Sequence, residues 1–478
     1  MTIGTLPDDV LLEIFDSYVD EFRDWADHGD DGWHTLVHVC SRWRNVVFAS
    51  PRRLRLQLLC TRNRSVKKML DIWPELPIII SDYGWSNRPK TVENVENVIS
   101  ALELNDRVSR INLHHVSCSD MERFAAVMLD PFPALTHLGL WSNDRMAPII
   151  SDSFLGGSAP RLRELTLDDI PFPELPKLLL SATDLVILQL WKIPHSGYIS
   201  PEAIVASLSA LTRLEQLNIH FQSPRSRPAT ASRRRPPLTR IVLPALTHLE
   251  FIGVTEYLED LVARIDAPLL VHFSITFFNQ LVFDLLQLPM FLCRTKAFTV
   301  LNRTEVDFDK DFTLVEFSSR TETYNKTSLS LTILFRGLDW QLSSLSQVCN
   351  SILLALSTVE YLDLGCHFSG PYPLLIEDDM EDTQWLELLH PFANVKDLHL
   401  SGKVTTCIAP ALRELTGERV TEVLPALQNI FLNGIYPGPG ARVVKPIREF
   451  VAARQLSGCP VALSPRRGAV GTRKVRRG

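Results

Sequence analysis

A short hydrophobic phrase, Leu-x-x-Leu-x-Leu, recurs along this chain and constrains its fold more than any other feature. It occurs as Leu135, Leu138 and Leu140 followed by Asn143, and as Leu162, Leu165 and Leu167 followed by Ile170. Further copies are Leu185, Leu188, Leu190 and Ile193; Leu214, Leu217 and Ile219; and Leu246, Leu249, Phe251 and Val254. An earlier copy runs Val108, Ile111, Leu113 and Val116. Later ones are Leu270/Phe273/Ile275, Val359/Leu362/Leu364, Val395/Leu398/Leu400 and Leu427/Ile430/Leu432/Ile435. From Ile111 to Phe273 the fourth position of the phrase recurs at intervals of 27, 27, 23, 29, 32 and 24 residues. The 89 residues from Phe273 to Leu362 leave room for two degenerate copies, near Phe298 and Leu331. In Leu-x-Leu the leucines share one face of a short strand and the x residues take the other. A single strand–helix unit cannot bury its own apolar face, so neighbouring units must stack.

Helices are expected between the strands. Ser119-Asp120-Met121-Glu122 has capping-box spacing ahead of Phe124, Ala125, Met128 and Leu129. Ser200-Pro201-Glu202 offers a cap, an early proline and an acidic first turn. Segments 256–265, 342–356, 383–390 and 446–456 read similarly, and 447–463 reads as a terminal helix, a glycine stop and a last strand. This consensus at this period resembles the leucine-rich repeat. The resemblance implies an α/β fold, an irregular solenoid of strand–helix units with strands on the concave surface. An open α/β sheet with βα units of irregular length is the alternative. It would call for glycine-rich phosphate loops or similar signatures, and the sequence has none.

The first fifty-odd residues follow different rules. Leu6-Pro7 opens an amphipathic helix in which Val10, Leu11, Ile14 and Phe15 recur at helical spacing, and proline in a first helical turn loses no hydrogen bond. After an acidic stretch, Val39, Trp43 and Val47 recur at helical spacing within Leu36–Val47. Two such helices bury too little to stand alone. Leu6, Pro7, Ile14, Val39, Cys40, Trp43 and Arg44 together resemble the F-box. The link from Tyr18 to Trp33 is longer and more acidic than that motif's usual connection, resembles the link of many fungal F-box proteins, and is expected to loop out. The resemblance implies a small all-α module that docks a Skp-type adaptor and, through it, a cullin of an SCF-type ubiquitin ligase. The implied adaptor-binding residues are Leu6, Pro7, Leu11, Ile14, Val39, Cys40 and Trp43.

The chain of 478 residues then divides into the helical module (1–55), a junction and capping repeat (56–107), the repeats (108–463) and a basic tail (464–478) expected to be disordered. A basic insert at 223–240, with six arginines and four prolines, reads as a solvated loop. A formal net charge of −6 gives no reason to expect nucleic acid as the main partner. No apolar run reaches the ~18 residues of a membrane helix. Asp8 and Asp9 stand where a secretory signal would be positive, and the eight cysteines form no CxxC pair. An intracellular protein with reduced thiols is expected.

No cofactor, metal or catalytic residue is indicated. His34 and His38 lack a third ligand at a matching spacing, and Cys366-His367 would point to opposite faces of a strand. The acidic run from Glu377 to Asp382 lacks the alternating ligands and glycine of a calcium loop. The expected function is therefore protein recognition through the x positions: His137, Gly139 and Trp141; Glu164, Thr166 and Asp168; Ile187, Gln189 and Trp191; Gln216, Asn218 and His220. Trp141 and Trp191 hold one register two repeats apart with Asp168 between them, which suits a polypeptide carrying a basic residue, and His220 continues the row. The alternatives are a repeat scaffold without a ligase role, and a nuclear or nucleic-acid binder working through Arg233-Arg234-Arg235 and the tail.

Overall fold

The computed structural model describes residues 6–23, 33–61, 67–70, 76–81, 92–144, 147–224, 239–280, 282–309, 311–319, 327–334, 338–352, 357–365, 382–433 and 441–466. Most of the Tyr18–Trp33 link, the basic insert and the tail lie outside these residues, as do Cys366-His367 and nearly all of the acidic run ending at Asp382. Two compact units divide the chain, Met1–Ser232 and Arg233–Gly478.

The first unit opens with three helices, α1 (Asp8–Arg23), α2 (Trp33–Val39) and α3 (Ser41–Ala49). Leu11, Phe15 and Val19 are buried along one face of α1 at the spacing of successive turns. The Phe15 ring meets Trp43 of α3 with centroids 4.7 Å apart. Two expectations fail here. The helix α1 continues through Tyr18 to Arg23 instead of looping out. The segment Leu36–Val47 is two helices, not one, because Cys40 is extended at φ −160° and ψ 169°. The break exposes carbonyls at the end of α2, and Arg44 Nε donates to Val37 O at 3.0 Å. Trp33, buried at the start of α2, donates from its indole to Gln57 O at 3.0 Å and ties the helices to the chain that follows.

Seven parallel strands come next, each pairing with its predecessor: β1 (Leu58–Cys60), β2 (Ile78–Ser81), β3 (Val108–Val116), β4 (His137–Ser142), β5 (Glu164–Asp168), β6 (Ile187–Ile193) and β7 (Gln216–Phe221). The repeated phrase sets their register. Ile111, Leu138, Leu165, Leu188 and Leu217 stand side by side across five strands, as do Leu113, Leu140, Leu167, Leu190 and Ile219. Every one of these side chains is buried. The first leucine of each phrase closes a turn just before the strand: Leu135, Leu162, Leu185 and Leu214 each donate their N–H to the carbonyl three residues back. Helices such as Val92–Leu102, Cys118–Val127 and Pro201–Leu208 connect the strands. The Ser200 cap is made, with Oγ accepting from Ala203 N at 3.2 Å. The other cap moves two residues earlier than expected. Ser117, not Ser119, starts its helix, and its Oγ accepts from Asp120 N.

In the second unit, a two-stranded parallel ladder joins β8 (Ile241–Val242) to β10 (Ile265–Asp266). The main sheet begins with β9 (His248–Gly253) and β11 (His272–Phe277). It then departs from chain order. β12 (Arg303–Phe308), β13 (Phe312–Ser318) and β14 (Ser328–Leu334) form an antiparallel meander laid in backwards, so that β14 pairs with β11. On the other side β12 pairs with β15 (Tyr361–Gly365), and β16 (Asp397–Ser401), β17 (Asn429–Asn433) and β18 (Ala462–Arg466) follow in parallel. Of the two degenerate copies, Leu331 lies in β14 as a strand residue. Phe298 instead packs in a 3-10 turn, Lys296–Val300, where it meets Phe273. The strands beside it come from Arg303–Phe308 and Phe312–Ser318, whose alternation is apolar but not leucine-based. The unit closes on a helix, Ala441–Leu456, a left-handed Gly458 (φ 77°) and β18. Among the described residues, no helix is long and apolar enough to cross a membrane.

One buried charge holds two helices of this unit together. Glu259, in the helix Thr255–Val262, accepts from the N–H groups of Leu286, Gln287 and Leu288 at 2.8, 2.6 and 2.9 Å. Those donors open the helix Gln287–Arg294, whose first N–H groups have no partner within their own helix. Burial holds the Glu259 carboxyl above the usual range despite these bonds. Glu259→Ala leaves three helix-start donors, one buried and two part-buried, without this acceptor. It is expected to cost about 2–4 kcal/mol, read as a lower midpoint of chemical denaturation; an unchanged midpoint would show that water replaces the carboxylate at no cost.

Candidate functional site

The face of the first unit's sheet opposite the leucines gathers the x residues into rows, with Gly139, Thr166 and Asn218 buried and most of the others half-exposed. Arg110, His137, Glu164, Ile187 and Gln216 form one row, and Asn112, Gly139, Thr166, Gln189 and Asn218 the next. Along the second row, Thr166 Oγ1 donates to Gln189 Oε1 at 3.1 Å. The third row lies toward the strand ends, with Trp141, Asp168 and Trp191 in direct register. His114 and His220 flank it. The His114 ring stacks on Trp141 at 3.9 Å with 13° between planes, and His220 meets Trp191 edge-on at 4.4 Å. The four residues proposed for recognition therefore form one continuous strip.

Their individual roles differ from the expectation in two respects. Asp168 does not stand alone between the indoles, because Lys192 Nζ lies 3.1 Å from its Oδ1 and 3.3 Å from its Oδ2. The Asp168 carboxylate is only 17% exposed, whereas Lys192 is 63% exposed and can be displaced. His220 is only 3% exposed and meets Trp191 edge-on, so it buttresses the indole and presents almost no surface of its own. Both features follow from irregular backbone. The register slips between Leu113 and Val116 and again between Leu190 and Ile193, where His115 (φ 50°) and Lys192 (φ 49°) take left-handed conformations. Bulges of this kind redirect side chains. His114 was readable as the x residue of the first repeat. Lys192 carried no such signal, since only the bulge turns it onto Asp168. Past the strip, the loops after β4, β5 and β6 line a half-open pocket of about 330 Å³, formed by Pro148, Ile149, Asp169, Pro171, Pro194 and Ser196 among others.

The helical module presents the second candidate surface. Pro7 and Cys40 are exposed, Ile14 is 41% exposed and Val39 56%, while Leu6 and Trp43 are half-buried. Val10, absent from the expected set, is exposed beside them. Leu11 is fully buried under α1, so it belongs to the core and offers nothing to a partner. The set spans all three helices, and the starts of α1 and α3 are tied together. Arg42 Nη2 donates to Asp8 Oδ1 at 2.6 Å and to Leu6 O at 2.5 Å, which brings Val39 and Cys40 within an arginine's reach of Pro7.

Among the described residues, no group of three His, Cys, Asp or Glu side chains could hold a metal ion. The Cys349 thiol is fully buried, and burial pushes its pKa up to about 12, which makes it a poor nucleophile.

Two outcomes test the strip. A Cβ at Gly139 would lie 2.4 Å from the outer ring of Trp141 and 2.6 Å from Asn112 Oδ1. Gly139→Ala should therefore displace the indole from His114, dim the near-ultraviolet circular dichroism and cost about 1–3 kcal/mol; an unaltered aromatic band would mean that the indole does not rest there. His137 reports on pH. Burial first, then Arg110 and Arg163, lower its imidazole pKa from 6.5 to about 4, although Glu164 lies 4.0 Å away. The unfolded chain is then the better proton acceptor, so stability is whole above pH 6.5 and declines as pH falls toward 4. His137→Asn should flatten the stability profile across that window, and parallel profiles would exclude the effect.

No protein-family model matches this chain, and no curated protein is significantly similar to it.

Proposed function

We propose that the protein is a substrate-recognition subunit of a cullin-RING ubiquitin ligase of the SCF type. The N-terminal helices act as an F-box for a Skp-type adaptor, and the strand face binds the protein to be modified. The observation that carries the reading is the surface of the helical module. Pro7, Ile14, Val39 and Cys40, which match the F-box pattern, lie exposed on or at the ends of helices whose buried side includes Leu11 and Phe15. Exposed apolar residues concentrated on so small a module are what a partner helix would cover. The strand–helix units, stacked in chain order through the first unit, support reading the rest as an irregular leucine-rich-repeat solenoid. Its half-exposed face offers Trp141, Asp168 and Trp191 to a basic residue that exchanges with Lys192. The chain needs no catalytic group of its own in this role, because the ligase's other subunits deliver ubiquitin.

Co-expression with a Skp-type adaptor, followed by affinity purification and size exclusion, tests the reading. A one-to-one complex is expected, lost in Ile14→Asp/Val39→Asp with little change in the melting temperature of the free chain. Leu11→Ala should instead destabilise the chain by about 2–5 kcal/mol. Adaptor binding should also shield the exposed Cys40 from alkylation. A chain that stays monomeric beside the adaptor, with Cys40 equally reactive, would reduce the module to a capping element of a binding scaffold.

A further inference from the structure

Where β4 and β5 begin, two arginines of the first unit stand without a counter-ion. Elsewhere in the unit Arg42, Arg53, Arg123 and Arg213 each meet a carboxylate of the chain. Arg110 and Arg163 are exposed and, among the described residues, their guanidinium groups make neither an ion pair nor a hydrogen bond. Both stand by His137 of β4. Arg110 lies directly opposite it on β3, and Arg163 comes immediately before Glu164, which lies opposite it on β5. Their charge is close enough to lower the affinity of the imidazole for a proton. Two cations that flank a neutral ring gain nothing from one another, and both are stabilised by an anion placed between them.

The hydrogen bonds around His137 define what such an anion must bring. Thr136 has one hydroxyl hydrogen and donates it to Ser109 O at 2.9 Å. In its contact with His137 Nδ1, at 2.8 Å, the ring is then the donor, so the imidazole hydrogen is on Nδ1. Nε2 keeps its lone pair and lies 4.0 Å from Glu164 Oε2. Two acceptors make no hydrogen bond with each other, so a group that settles beside them must carry its own proton. A carboxylate holds none near neutral pH. A phosphate monoester, with a second pKa of about 6, takes one up at little cost.

We propose that Arg110, Arg163 and His137 form a binding site for a phosphate monoester. The two guanidinium groups take its anionic oxygens, a pairing to which their planar forks are suited, and its remaining hydroxyl donates to His137 Nε2. Glu164 is the opposing charge. Its carboxylate weakens binding of the dianion most and so favours the ligand in its protonated form. The phosphate arrives on a polypeptide side chain or on a small molecule. The site requires neither the adaptor nor the helical module, so it stands whether or not the ligase reading does.

Fluorescence anisotropy of the full chain with labelled peptides is the test. The probes are a glycine–serine peptide carrying one phosphoserine, the same peptide unphosphorylated, and the same peptide with glutamate at that position. The phosphoserine peptide should bind tightest, with a Kd that rises with salt and is lower at about pH 6 than at about pH 8. Arg110→Gln/Arg163→Gln should weaken it about tenfold. Glu164→Gln should tighten it, and His137→Asn, which removes Nε2, should abolish the pH dependence. Competition separates the two sources. Inorganic phosphate that displaces the peptide at a concentration near the peptide's own Kd makes a small phosphate sufficient, whereas a peptide that binds more tightly than inorganic phosphate makes a polypeptide the carrier. Circular dichroism melts check that the variants fold, and if one does not, the preference of the unaltered chain for phosphoserine over glutamate still decides. No binding of the phosphoserine peptide or of inorganic phosphate, equal affinity for the glutamate peptide, or a Kd unchanged by Arg110→Gln/Arg163→Gln overturns the proposal.

Discussion

The contact on which each sheet depends is the apolar residue of one Leu-x-Leu meeting its counterpart on the next strand. Each such side chain contributes about 1.5–3 kcal/mol by leaving water, and it does so only when the neighbouring strand is in register. A slip of one residue would turn the leucines outward and drive Trp141, Asp168 and Trp191 into the core. The interaction that stabilises the sheet is therefore also the one that selects which residues its other face presents. The reversed meander of the second unit obeys the same constraint. Phe273 meets Leu329, Leu329 meets Phe317, and Val315 meets Val306, so the apolar ladder passes unbroken through strands that run against chain order.

The helical module shows what happens where this ladder is missing. Its core is small, built around Leu11, Phe15, Val37 and Val47, and it is anchored to the rest of the first unit by the Trp33 indole on Gln57 O. Burying those residues leaves Pro7, Val10, Ile14 and Val39 outside. An exposed apolar surface and a scarcity of core are two views of one fact, because a module this size cannot cover both faces of its helices.

Much of the site was legible before any coordinates. Alternation placed Trp141, Asp168 and Trp191 on a common face, since a strand has a strict period of two. What alternation could not show was the environment each residue meets. Asp168 carries Lys192 because a bulge turns the chain at that point. Trp141 lies over Gly139 because glycine leaves room there, and it rests on His114 from a strand some 27 residues earlier. Leu11 matched a binding motif by type and spacing, yet side-chain burial assigns it to the core.

The sequence by itself determined which residues face inward, where most helices lie and where the last helix stops before Gly458, because these are consequences of local periodicity, capping and backbone freedom. Only the tertiary structure decided the break at Cys40, the backward order of β14, β13 and β12, and the stack that runs from Arg303 over Tyr361 and His399 to Phe431. The latter two depend on partners distant in the chain, β11 for β14 and Tyr361 for Arg303, and at the break the Arg44 side chain takes up the carbonyl of Val37, seven residues back. A period reports how a residue is oriented along its own element. Which element lies beside it is settled by packing, through contacts between segments that sequence spacing leaves unrelated.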